Sequence, residues 1–126
     1  MPQTEVTVFR ESDGTVPLRE WLDALKISNE NVYAKCLQRI LALSDFGYEL
    51  RRPLADQLRD GIYELRIRNS HINYRMLYFF SGKNAVVLTH GFTKEGAVPN
   101  GQIDLAVRRK AMVSKHPDKH TAEWEW

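Results

Sequence analysis

The sequence predicts an α+β fold: a small antiparallel sheet of about four strands, two helices from the N-terminal half packed on it, and a closing C-terminal helix. Three observations carry this. Short runs rich in β-branched and aromatic residues occur at Glu5–Phe9, over residues 61–80 and over residues 85–92. Two segments with apolar residues at helical spacing lie between the first and second runs, and another follows the last. The later strands are separated only by short turns, which forces antiparallel pairing.

Each element has its own signal. "EVTVF" alternates as a half-buried strand does, and "SDGT" is a turn. In "VPLREWLDALK", Pro17 suits a first helical turn, and Leu18, Trp21, Leu22 and Leu25 fall on one face. "SNEN" interrupts, with Ser28 or Asn29 as the cap of a second helix. That helix, "VYAKCLQRILALSDFG", sets Val32, Cys36, Ile40 and Leu43 on one stripe with Leu37 and Leu41 beside it, and Gly47 ends it. "YELRRPLADQLRDG" reads as a loop. "GIYELRIRNSHINYRMLYFF" reads as two strands, and "AVVLTHGF" follows the turn "SGKN" as a third. "TKEGAVPNG" is a loop. "QIDLAVRRKAMVSK" is a helix with Ile103, Val107 and Ala111 facing inward. The tail "HPDKHTAEWEW" has no usable period. The expected organisation is one domain over residues 1–113 and a tail over 114–126.

Bulk properties narrow the class. A chain of 126 residues, 43% hydrophobic and 27% charged, is an ordinary single globular domain able to bury a core without metal or disulfides. A net charge of +2 and a pI of 8.8 are only mildly basic, so any nucleic-acid role must rest on where the cations sit. The single cysteine, Cys36, falls on the apolar stripe and reads as a small buried hydrophobe in a reducing compartment. No signal-like apolar region opens the chain and no run approaches the roughly 18 apolar residues of a span. The expected location is cytoplasmic, without a membrane partner.

Side-chain alternation lets the hairpins be registered. With Asn69-Ser70 as the first turn, Arg68 faces His71, Arg66 faces Asn73 and Glu64 faces Arg75, while Ile67, Leu65 and Tyr63 meet Ile72, Tyr74 and Met76 on the other face. A loop one residue longer or shorter mixes polar with apolar. With Gly82-Lys83 as the second turn, Phe79 meets Val86, Leu77 meets Leu88 and Arg75 meets His90. Glu64, Arg75 and His90 then form one row, with Arg66, Asn73 and Phe92 in the next and Lys94 just beyond. The expected face is apolar at its far end, under a helix, and cationic at its near end. An arginine in a central strand is costly unless paired, and Glu64 is the expected partner. A structural Glu64–Arg75 pair on an open face accounts for that much without a site, and Arg68 and His71 beside the turn suit solvent.

Metal chemistry fits poorly: His116 and His120 share a helical spacing but lie in the tail beside Pro117, and there is no cysteine pair or carboxylate cluster. Phosphate-loop and nucleophile-elbow motifs are absent from the sequence. An arginine-rich sheet face with Lys, His and Glu suits metal-independent RNA cleavage. RNA carries its own 2′-hydroxyl nucleophile, and the protein must supply cations for the phosphate, a base and an acid. Lys94 or His90 would serve as base or acid, and Phe92 would stack on a nucleobase.

These residues carry a resemblance. A Gly-x-Tyr-Glu-Leu-Arg strand (Gly61, Tyr63, Glu64, Leu65, Arg66), a Tyr-Arg strand ending in aromatics (Tyr74, Arg75, Tyr78), a His-x-Phe-x-Lys strand end (His90, Phe92, Lys94), a loop proline (Pro99) and a closing helix with Ala106 resemble the phage-derived, HigB-like branch of the RelE toxin superfamily. The resemblance spans roughly residues 6–113. It implies a RelE-like fold and a metal-independent, ribosome-dependent endoribonuclease that cuts translated mRNA. It also implies neutralisation by a helix-turn-helix antitoxin, and no cofactor. It would make Arg66, Arg75, His90 and Lys94 catalytic, and Glu64, Arg68, His71, Asn73 and Phe92 supporting or RNA-binding, with the general base unassigned. Two departures stand out: Glu95 replaces a frequent second lysine, weakening the local positive field, and Val98 replaces a usual threonine. The alternative is a non-catalytic RNA-, ribosome- or antitoxin-binding module of the same fold. Trp124 and Trp126 lie beyond the resemblance, to dock on this chain, on a partner, or not at all.

Overall fold

The computed structural model describes residues 4–82 and 84–124. The chain runs β1 (Glu5–Phe9), α1 (Pro17–Ser28), α2 (Glu30–Phe46), a 3-10 turn (Gly47–Glu49), β2 (Ala55–Gln57), β3 (Ile62–Asn69), β4 (Ile72–Phe80), β5 (Ala85–Lys94), α3 (Asn100–Lys115), α4 (Pro117–His120) and β6 (Thr121–Glu123). The described residues form one sheet of six strands in the order β2-β3-β4-β5-β1-β6. The class is α+β as expected, with a larger sheet than four strands and one exception to antiparallel pairing. β1 lies parallel to β5, with Val6 opposite Val86 and Val8 opposite Leu88. The chain leaves β1 through α1 and α2 and returns to it at β5 by way of β2, β3 and β4, and a long connection of that kind permits parallel pairing where a tight turn does not.

The two additional strands come from stretches without strong alternation. β2 lies in the segment read as a loop and pairs Ala55 with Leu65 and Gln57 with Tyr63. Asp60 (φ 54°) and Gly61 (φ 77°) both adopt the left-handed conformation at its turn into β3, where the Ile62 N–H donates to the Arg59 carbonyl. That is the geometry an Asp-Gly hairpin turn requires. β6 arises from the tail and pairs with β1, Val8 opposite Ala122. Arg10 donates to the carbonyls of Asp118 and Lys119, and Trp124 packs against the core. The tail thus docks on its own chain through Trp124; Trp126 lies outside the described residues.

One face of the sheet carries α1 and α2. Asn29 caps α2 by accepting from the Val32 N–H at 3.3 Å, and Gly47 (φ 50°) ends it. The predicted stripe Val32, Cys36, Ile40, Leu43 is buried, as are Leu18 and Leu22 of α1. Each aliphatic of this set contributes about 1.5–3 kcal/mol by leaving water. Burial pushes the Cys36 thiol up to about 12, which keeps it protonated and unreactive at neutral pH. Gly91 of β5 faces this layer: a Cβ there would run into the Trp21 indole of α1.

The other face is covered in part by α3. Phe9, Ile62, Leu77, Phe79 and Val87 pack beneath Ile103, Ala106 and Val113. The inward stripe of α3 differs from Ile103–Val107–Ala111: Ala111 is exposed and Val107 half-buried, while Ala106 and Arg109 are buried. Arg109 stacks over Phe9 at 4.9 Å and pairs with Glu11 at 3.0 Å. Its partners let a charged residue face inward, which apolar periodicity alone does not register. Among the described residues, no helix is long and apolar enough to cross a membrane.

Candidate functional site

Beyond the reach of α3, the same sheet face is polar. The first hairpin turns at Ser70-His71, with Asn69 opposite Ile72 and Ser70 at φ 57°. This corrects the Asn69-Ser70 turn by a shift of two in pairing, which preserves parity and therefore the division into faces. The rows change. Arg66 stands opposite Arg75, Arg68 opposite Asn73, and Glu64 opposite Leu77. On the next strand Arg75 meets Phe92, Asn73 meets Lys94, and Leu77 meets His90. The rows are therefore Arg66–Arg75–Phe92, Arg68–Asn73–Lys94 and Glu64–Leu77–His90.

The second hairpin contains a further correction. Phe79 pairs with Val87 and Tyr78 with Leu88, and then a bulge shifts the register before Leu77 meets His90. Without that irregularity, Val86 and Leu88 would share the face of His90. With it, they join the α1–α2 core while Val87 lies under α3. The extra residue re-aims the strand so that His90, Phe92 and Lys94 share the face of Arg75. The expected turn at Gly82-Lys83 includes Lys83, which lies outside the described residues.

Arg75 is the floor of the site. It is 3% exposed, and Glu64, one row away, is 6% exposed. Arg75 Nε donates to Glu64 Oε1 at 2.5 Å, and Nη1 donates to the Tyr74 carbonyl at 2.9 Å. Burial lowers the pKa of Arg75 and the Glu64 charge opposes this, so the guanidinium stays ionised. The Arg66 side chain is half-buried and makes no hydrogen bond or ion pair among the described residues. Like charges directly opposite one another destabilise a sheet. Only one of the two facing arginines has a carboxylate bonded to it; the nearby Asp56 is taken by Arg52 at 2.7 Å.

Lys94 closes the cluster from β5. Burial and then the charge of Arg75 hold its ammonium below the usual lysine range, and Glu64 offsets this in part. Its Nζ donates to the Gly96 carbonyl. Lys94 shares a cavity of about 380 Å³ with His71, Ile72, Asn73, Tyr74, Thr93 and Glu95. His71 and Glu95 are exposed.

His90 and Phe92 are turned toward α3. His90 Nε2 lies 2.8 Å from Gln102 Oε1 and Nδ1 lies 2.6 Å from Thr89 Oγ1. An amide oxygen can only accept, so Nε2 carries the proton and Nδ1 accepts from the threonine hydroxyl. Burial pushes His90 down to about 4, with the Gln102 bond opposing and the Arg109 charge assisting. The ring is neutral at pH 7 and both nitrogens are engaged. Phe92, 9% exposed, packs in the apolar cluster beside His90, leaving little ring for a nucleobase. Tyr63 and Tyr78 stack on the opposite face at 5.5 Å.

One residue of the site was missed. Arg39 of α2 joins Arg66, Arg68, Asn73 and Arg75 around a cavity of about 350 Å³ at the outer edge of β3. β2 ends its pairing at Ala55–Leu65, and Pro53 and Leu54 complete the wall. Arg39 Nε is buried without a partner among the described residues. A buried donor left unpaired costs about 1–3 kcal/mol. Its only sequence signal was an i, i+4 spacing from Lys35, whose Nζ reaches Asn69 Oδ1 at 2.8 Å. Among the described residues, no group of three or more His, Cys, Asp or Glu side chains is arranged to hold a metal ion.

Residues 20–111 match the profile of the family described as "Phage derived protein Gp49-like (DUF891)". No curated protein matches the chain.

Proposed function

The chain belongs to the phage-derived Gp49-like family, within the RelE/toxin–antitoxin-like group, and on that premise we propose that it is the toxin of a toxin–antitoxin pair: a metal-independent endoribonuclease of the HigB-like kind that cuts mRNA on the translating ribosome. The observation that carries this reading is the facing pair Arg66–Arg75, with Lys94 in the adjacent row and Glu64 clamping only Arg75. A half-compensated cation cluster on an open sheet face is an expensive arrangement unless a polyanion completes it.

In this reading a scissile phosphate lies over Arg75 and beside Arg66. A base takes the 2′-hydroxyl proton, the 2′-oxygen attacks phosphorus, and the bond to the 5′-oxygen breaks as an acid protonates it. The products are a 2′,3′-cyclic phosphate and a 5′-hydroxyl. Arg66 and Arg75 stabilise the charge that grows on the phosphoryl oxygens. Lys94, with its pKa lowered, is the proton-transfer candidate of the cluster. His90, neutral and bonded at both nitrogens, is held by Thr89 and Gln102 beside the Phe92 ring and has a supporting role rather than that of an acid. Asn73 lies between Arg68 and Lys94, and His71 borders the cavity that Lys94 lines. A helix-turn-helix antitoxin is the partner this role calls for. A non-catalytic RNA- or antitoxin-binding module is the second reading, favoured by Glu64 already neutralising Arg75 and by Glu95 beside Lys94.

The test is mapping of mRNA 5′ ends in a cell-free translation reaction, wild type beside Arg66→Gln. Arg66 is chosen because its removal strands no buried carboxylate. New ends are expected with wild type only while ribosomes translate, with a fall of about 10²–10³ in rate for the variant. Folded wild-type protein that makes no new ends would remove the nuclease reading. Undiminished cutting by the variant would remove Arg66 from the phosphate site.

A further inference from the structure

The cavity at the outer edge of β3 extends past the scissile-phosphate position. Arg66 and Arg68 are two residues apart on one strand, about 6.8 Å along it, close to the spacing of successive phosphates in an extended nucleic-acid strand. Arg68 is exposed and, like Arg66, makes no side-chain hydrogen bond or ion pair among the described residues. Arg39 approaches the same cavity from α2, on the far side of the strand edge. Its guanidinium is held there although Nε is buried without a partner and burial disfavours its charge. The nearby carboxylates are already committed: Asp56 to Arg52 and Glu64 to Arg75. Four arginines around about 350 Å³, one of them ion-paired, leave a strong positive potential in a concave space.

We propose that Arg39 and Arg68 form a second phosphate site, which holds the phosphodiester next to the scissile one on the same RNA strand. The assignment rests on the reading of this face as an RNA-cleaving site and deepens it. The strand then crosses β3 at its open edge, with one phosphate between Arg66 and Arg75 and its neighbour between Arg68 and Arg39. A fork-shaped guanidinium on each side can engage separate oxygens of one phosphate. The site would fix the register of the strand and so decide which bond is presented for cleavage.

The experiment is titration of the folded full-length chain with a short 2′-O-methyl RNA, which lacks the nucleophile. It is repeated with analogues in which one phosphate at a time is an uncharged methylphosphonate, and with inorganic pyrophosphate. Arg39→Gln and Arg68→Gln are each expected to weaken oligonucleotide binding by about tenfold and to reduce the slope of log affinity against log salt by about 0.7. One methylphosphonate position should weaken wild type by the same factor and leave Arg39→Gln no weaker. The adjacent position should weaken both proteins. If both variants bind every analogue as wild type does, while Arg66→Gln weakens binding, the second site is refuted and the RNA reading stands. If wild type binds no oligonucleotide but binds pyrophosphate in an Arg39-dependent way, the anion site stands and the RNA reading falls. Binding of neither ligand overturns both.

Discussion

Two arginine–glutamate contacts, each with a buried arginine, lie on the same face of the sheet, and they differ in what stands next to them. Arg109, on the inner side of α3, pairs with Glu11, stacks on Phe9 and reaches toward the Thr89 carbonyl. Arg75 pairs with Glu64 at greater depth, yet it opens on a cavity whose other arginines have no such partner. The chemistry of the pair is the same in both places. What separates scaffold from site is the uncompensated charge beside it: Arg109 has Glu11, the Phe9 ring and the Thr89 carbonyl around it, with its Nε left without a partner among the described residues, whereas Arg75 holds one end of a set of cations that lack carboxylates. A buried ion pair alone is therefore poor evidence of function, and a facing second cation is better evidence.

The largest expected effects test that distinction directly. Arg75→Ala leaves Glu64, whose side chain is 8% exposed, without its partner, and should cost about 3–5 kcal/mol in a denaturant titration. Cleavage would vanish with it, so the informative protein is the double variant Glu64→Gln/Arg75→Met. It should recover most of the stability while remaining inactive. Arg109→Ala strands a carboxylate that is 37% exposed and easily rehydrated, so its expected cost is smaller, about 1–2 kcal/mol, with cleavage per folded molecule unchanged. If folded Arg109→Ala stops cutting, the contrast between the two regions is wrong.

His90 joins the regions, since it sits in the Glu64 row while Arg109 lowers its pKa from the α3 side. Its folded value of about 4 lies below the ordinary 6.5, so the unfolded chain binds the proton more tightly. Stability from this group is therefore complete above about pH 6.5 and is lost as pH falls toward 4, on the order of 2 kcal/mol by pH 5. Unfolding midpoints measured between about pH 7 and 5 should show this slope, and His90→Gln should flatten it. A slope that persists in the variant would assign the effect to another group.

The sequence made the division of the sheet face legible, and parity is the reason. A strand's alternation survives a register error of two, so Arg66, Arg75 and Lys94 came to one face although their rows were misassigned. A bulge breaks that protection: apolar Val86, Val87 and Leu88 suit either face, and nothing in "VVLTH" marks where the extra residue falls. β2 was legible in principle from Asp60-Gly61, a hairpin turn signal hidden at the end of a proline-containing stretch. Arg39 was not, because it flanks Cys36 and Ile40 on a helix whose apolar stripe explains the segment fully. Its meaning comes only from the β3 edge, distant in sequence, and periodicity within one element carries no information about what another brings beside it.

The smallest expected effect completes the comparison with a third arginine pair. Arg59 binds Asp104 of α3 at 2.6 Å and Asp60 of the β2–β3 turn at 2.8 Å, shorter contacts than Arg109 makes with Glu11. Distance alone would rank it as the stronger tie between α3 and the sheet. Its side chains are 39%, 65% and 60% exposed, however, and water and salt screen charges at that depth. Asp104→Asn should leave the thermal midpoint unchanged within error, and any residual shift should disappear at high salt. A large, salt-insensitive loss would mean that contact distance rather than burial orders the three pairs, and surroundings would then no longer separate Arg75 from Arg109.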